Sequence, residues 1–168
     1  MKQVIFVRHA KSDWGSEYLK DIDRFLAERG YNDAYFLSEW FNKNHPAPDR
    51  ILSSTATRAL NTALIFARAL DFSMENFQLE KDIYEASPAT LLSIIAEQDN
   101  SKNSLMLFGH NPGFTKICND LSEDMYFDNV PTCGIVAFNF EVSSWKSVKE
   151  KEGKLAFYQY PKDFRNKN

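Results

Sequence analysis

Cysteine is scarce in this chain of 168 residues: only Cys118 and Cys133, at no metal-ligand spacing. That excludes a disulfide scaffold and a thiolate metal site, and leads one to expect a reducing compartment, the cytoplasm, with two packing thiols. The three histidines, His9, His45 and His110, are too few and too scattered for a histidine-rich metal site. Six Gly and six Pro exclude collagen-like and Pro-rich low-complexity classes. No apolar run approaches the roughly 20 residues of a membrane span. The opening MKQVIFVRHA is broken by Arg8 and His9 before it reaches signal-peptide length, so the mature chain is expected to start here. A Walker-type glycine loop is missing, which leaves NTP hydrolysis by that route unsupported. No carboxylate cluster has metal spacing, so neither a metal nor another cofactor is expected. A formal charge of −3 argues against nucleic-acid binding through bulk charge.

What is present is a globular composition, with 43% hydrophobic and 26% charged residues. A chain this long buries roughly 68–70% of its unfolded surface, so it needs no disulfide or metal to build a core. With 14 phenylalanines, that core is expected to be aromatic. Strands are predicted at 2–8, 50–52, 77–80, 104–109, 134–141 and 155–160, from β-branched, aromatic or alternating runs. Helices are predicted at 31–44, 55–70 and 88–98, from apolar spacing near 3.6. A further helix is predicted to begin at Asn111 as N-cap, with Pro112 in its first turn, and to run to about Leu121. Residues 10–30 read as a polar loop, with a helical turn at most, and the tail from Pro161 as surface. Strands alternating with helices predict an α/β fold: a three-layer α/β/α sandwich around a mostly parallel sheet. The last two strands have no helix between them, which gives the sheet a mixed edge.

Ligands of such sheets bind outside the carboxyl ends of the strands. The first strand ends in Arg8–His9 and the strand at 104–109 ends in Gly109–His110, so both imidazoles face one crevice if these strands are neighbours. Arg58 falls in the first turn of its helix, where a cation opposes the macrodipole by a few tenths of a kcal/mol to about one. A bound anion would resolve that conflict; a solvated side chain would evade it. Arg24, in DIDRFLAERG, joins the set if its loop folds over the crevice. His45, between Asn and Pro, reads as surface. Guanidinium forks match phosphate geometry, and a neutral imidazole among them can attack phosphorus.

These residues resemble the histidine phosphatases, the phosphoglycerate mutase-like superfamily. The resemblance rests on VRHAKSDW, DIDRFLAERG, SSTATRALNTA, FGHNPGF and the closing FYQYPKDF, in that order, and spans most of the chain as a single domain, 1–168. The RHAKS and DIDR forms are most similar to the SixA-type phosphohistidine phosphatases. The resemblance implies His9 as the nucleophile, Arg8 and Arg58 as phosphoryl-binding arginines, and His110 as the second histidine. It also implies Arg24 as an additional phosphate-binding arginine. Two positions depart from the pattern: Ala10 stands for the usual Gly, and Phe25 where Pro more often follows the loop arginine. Glu85, in DIYEAS, lies near the general acid of other branches. It is either an acid here or a solvated carboxylate. The implied activity is a metal-independent phosphatase for phosphohistidine on a signalling or phosphotransfer protein, with neither nucleic acid nor membrane as partner. A phosphatase for small phosphate monoesters and a non-catalytic phosphoprotein-binding module are the rival readings.

Overall fold

A computed structural model describes residues 1–15 and 17–165, so the last three residues of the tail lie outside the described residues. Six strands form one sheet: β1 (Lys2–Arg8), β2 (Arg50–Ser53), β3 (Phe77–Leu79), β4 (Ser104–Gly109), β5 (Ile135–Phe140) and β6 (Lys154–Gln159). Their spatial order is β3-β2-β4-β1-β5-β6. The first four strands run parallel, while β5 is antiparallel to β1 and to β6. The mixed edge comes from β5, which runs against both its neighbours; β6 follows it with no crossover helix and pairs antiparallel.

The two central strands are apolar on both faces because helices cover both. Val4 and Phe6 of β1 join one core with Leu105 and Leu107 of β4. Ile5 and Val7 join the other with Met106 and Phe108. Helices α1 (Glu28–Asn44) and α2 (Thr57–Ala69) pack on the second face, and α3 (Pro88–Ala96) and α4 (Gly113–Leu121) on the first. Cys118 and Cys133 are free and buried, one in each core. No helix among the described residues is long and apolar enough to cross a membrane.

Three local expectations need correction. Helix α1 starts at Glu28, so Gly30 lies inside it rather than in the loop. A Cβ there would sit 2.1 Å from the Lys11 carbonyl oxygen, and glycine is what lets the helix touch that backbone. At α4 the N-cap is Pro112, not Asn111, although the Asn111 side chain still accepts the Thr115 N–H at 3.1 Å. His45 is half-buried, not superficial, because its ring stacks on Phe157 of β6 with centroids 3.9 Å apart. The tail lies at the surface as expected and forms α5 (Pro161–Arg165), with Arg165 donating to the Asp33 carboxylate of α1 at 2.7 Å.

The connection leaving β1 runs to β2 on one side, and that leaving β4 runs to β5 on the other. The chain therefore diverges at the carboxyl ends of this adjacent pair, the switch point where α/β sheets bind ligands.

Candidate active site

The pairing Arg8↔Gly109 sets His9 beside His110. The His9 amide donates to the Gly109 carbonyl at 3.0 Å, and the two rings lie 5.3 Å apart. His9 Nδ1 is 2.7 Å from the Ala10 carbonyl oxygen. A carbonyl only accepts, so Nδ1 carries the proton and the Nε2 lone pair is free. Burial pushes the His9 pKa down to about 3; the Ala10 bond opposes this, and His110, Arg58 and Arg8 add to it. His9 is therefore neutral through the physiological range. Ala10 has no positive φ, which is why it can stand where glycine is usual, and its amide donates to Thr62 Oγ1 at 3.0 Å.

His110 Nε2 lies 2.7 Å from Ser54 Oγ, just beyond β2. That oxygen accepts the Ala56 N–H at 3.2 Å, so its own hydrogen is free for His110 Nε2. His110 Nδ1 is buried and has no partner among the described residues. Burial, then Arg58, pushes the His110 pKa down to about 4, against the opposing pull of Asp21.

The arginines enter from three elements. Arg8 ends β1 and donates from Nη1 to the Val130 carbonyl at 2.9 Å. Arg58, only 5% exposed, is not solvated; it donates from Nη1 to the Asp21 carbonyl at 2.6 Å and from Nη2 to Asp21 Oδ2 at 3.0 Å. Arg24 donates from Nε to Asp21 Oδ1 at 3.1 Å, and the Trp14 ring covers its guanidinium at 3.5 Å. Tyr84 donates its hydroxyl to Asp21 Oδ2 and sets its ring edge-on to His110. The anion that relieves the first-turn conflict at Arg58 is thus partly internal.

Six buried polar side-chain atoms lack a partner among the described residues, and four belong here: Arg8 Nε, Arg24 Nη1, Arg58 Nε and His110 Nδ1. Buried polar atoms of this kind are rarely left without a partner, and three of the four are arginine donors, so their concentration marks a seat for an acceptor-rich anion.

Beside His110 and Arg58 opens a cleft of about 550 Å³, walled also by Asp21, Tyr84, Glu85 and Lys116. Arg8, His9 and Arg24 are not among its walls. Glu85 is exposed on the cleft and holds φ at 57°, a left-handed conformation that costs a non-glycine residue roughly 1–2 kcal/mol. Its loop presses on α4: a Cβ on Gly113 would lie 2.3 Å from the Ala86 carbonyl oxygen, so glycine is required there. Arg58, His110 and Glu85 wall this cleft together, Arg24 is joined to Arg58 through Asp21, and Arg8–His9 lies beside Gly109–His110 at the neighbouring strand end. Sequence reasoning missed Asp21, Tyr84, Trp14 and Ser54. Asp21 shares its motif with Asp23 and nothing local separates the two.

The model of the histidine phosphatase superfamily (branch 1) matches residues 4–103. The chain belongs to this superfamily. It is accordingly a hydrolase of the histidine phosphatase fold. An uncharacterized protein of Mycobacterium tuberculosis is 27% identical over 165 residues, covering 93% of this chain and all of that one. Among solved structures, a protein of Agrobacterium tumefaciens that carries the name of the phosphohistidine phosphatase SixA is 27% identical. It matches with TM-score 0.79 over 95% of this chain and 98% of its own. A mycobacterial glucosyl-3-phosphoglycerate phosphatase shares the fold at 14% identity, with TM-score 0.71 over 96% of this chain and all of that one.

Proposed function

We propose that this chain is a metal-independent phosphatase that works through a phosphohistidine intermediate on His9, with phosphohistidine on a protein as its substrate. The carrying observation is the set of three unpartnered arginine donors, with the unpartnered His110 Nδ1, beside a neutral imidazole whose Nε2 lone pair is free. A phosphoryl group seated on Arg8, Arg24, Arg58 and His110 has its non-bridging charge taken up by fixed donors. His9 Nε2 attacks phosphorus, a P–N bond forms, and the bond to the leaving atom breaks with its electron pair. Water then attacks the phosphoimidazole, the P–N bond breaks, and orthophosphate leaves with neutral His9 restored. The arginines bring the positive charge that a metal supplies in other phosphatases.

The leaving group favours phosphohistidine. A phosphohistidine ring protonated on its other nitrogen departs as neutral imidazole, whereas an alkoxide needs a positioned acid. The cleft beside His110 gives the leaving group an open approach, and the SixA name attached to a 27% identical structure supports the same reading. Glu85 on the cleft wall favours the second reading, a small-monoester phosphatase in which it donates the proton. The test is to mix the protein with a radiolabelled phosphohistidine protein, quench, and look for acid-labile, base-stable label on His9. His9→Ala should lose both label and turnover; wild-type turnover in that variant refutes the mechanism, and binding without label leaves the phosphoprotein-binding module.

A further inference from the structure

The geometry points to Asp21 as a positioning residue that holds one edge of the Arg24 and Arg58 guanidiniums so that the other edges face the phosphoryl group. This rests on the phosphatase reading above and adds a carboxylate to a site otherwise made of cations and imidazoles. The division of donors is specific. Arg58 gives Asp21 both terminal nitrogens, at 2.6 Å to its carbonyl and 3.0 Å to Oδ2, and keeps Nε buried and unpartnered. Arg24 gives Asp21 its Nε, at 3.1 Å, and keeps Nη1 buried and unpartnered. One carboxylate therefore spans two arginines, one oxygen each, and leaves each guanidinium a free donor.

A side chain rather than the backbone fixes Asp21 in that office. Its turn, Asp21–Asp23, is a single 3-10 turn between polar segments, so the backbone alone does not hold it. Tyr84 does, by donating its hydroxyl to Oδ2. The Tyr84 bond, followed by Arg58, holds the Asp21 carboxyl down to about 2, so the anion persists at every working pH. The Arg58 and Arg24 side chains are only 7% and 11% exposed, against 50% for Asp21. Nearly buried cations need a counter-charge when no phosphoryl group is present, and a carboxylate rooted on the wall supplies it without filling the seat.

The rival geometry has Asp21 as an internal competitor that must leave before phosphate enters. The two predict opposite signs. Orthophosphate and tungstate are the probes, with dissociation constants measured by calorimetry on the full chain, beside KM and kcat for an aryl phosphate. Under positioning, Asp21→Asn raises the dissociation constants and KM together, by about tenfold, the loss of one charge-assisted contact. Tyr84→Phe moves them the same way by a smaller factor. Asp21→Glu recovers part of the loss; the thermal midpoint falls modestly for Asp21→Asn, which strips the counter-charge from two nearly buried guanidiniums, and stays close to wild type for Tyr84→Phe. Tighter anion binding in Asp21→Asn overturns the inference in favour of competition. Unchanged binding overturns it outright, as does a lowered midpoint with unchanged binding. If the wild-type chain binds neither probe, the phosphatase reading falls and the inference with it. Binding without turnover sinks the catalytic reading alone, because the Asp21 comparison is read from anion binding.

Discussion

Arg58→Ala is the sharpest perturbation of the site, because it separates charge placement for catalysis from charge placement for folding. Removing one fixed donor from an anionic transition state costs about 3 kcal/mol, so kcat/KM on an aryl phosphate should fall by roughly 10²-fold. Stability has two opposing contributions. Deleting a first-turn cation relieves the macrodipole by up to about 1 kcal/mol. Against that, Arg58 is not a surface side chain: it is nearly buried and makes two charge-assisted bonds to Asp21. The half-exposed Asp21 carboxylate can recover water when its partner goes, which limits the loss to about 1–2 kcal/mol. The helix-dipole argument alone predicts an unchanged or slightly higher melting temperature. With the Asp21 bonds included, the net change is a modest fall. Orthophosphate supplies the internal control: it should raise the wild-type melting temperature by mass action and leave the variant nearly unmoved. The assay is kcat/KM together with melting curves with and without orthophosphate. Unchanged kinetics with a lowered melting temperature would make Arg58 structural and refute the clamp.

Three further outcomes are expected. Glu85→Gln should keep phosphohistidine turnover within about tenfold, whereas a general-acid role would cost alkyl-ester turnover roughly 10²–10⁴-fold; efficient alkyl-ester hydrolysis that collapses in the variant would favour the small-monoester phosphatase. The folded pKa values of His9 and His110, about 3 and about 4, lie below the unfolded value of 6.5. The unfolded chain therefore binds more protons between about pH 4 and 6.5, and stability is full above 6.5 and lost as pH falls through that window. Melting temperatures that stay flat from pH 7 to 4.5 would contradict the buried neutral pair. Activity should survive EDTA; complete loss restored by Mg²⁺ or Mn²⁺ would show that the arginines do not supply the needed charge.

Much of this was legible in the sequence because it is local. A β-branched run ending in Arg8–His9 and an apolar run ending in Gly109–His110 state where two strands stop, and the sheet does the rest. The misplaced cation at Arg58 signalled an anion because the helix dipole is set by neighbouring residues alone. What the tertiary structure decided are pairings that no local pattern encodes. The partner of Arg58 is Asp21, 37 residues away and held on a polar turn indistinguishable in sequence from any other loop. His45 was misjudged because its burial comes from Phe157 on an edge strand, and the bond that docks the surface tail, Arg165 to Asp33 across 132 residues, has no local signal. Periodicity and capping fix which residues form an element. Which donor meets which acceptor is settled only when packing has buried them both, since an unmet buried charge is costly only once water has gone.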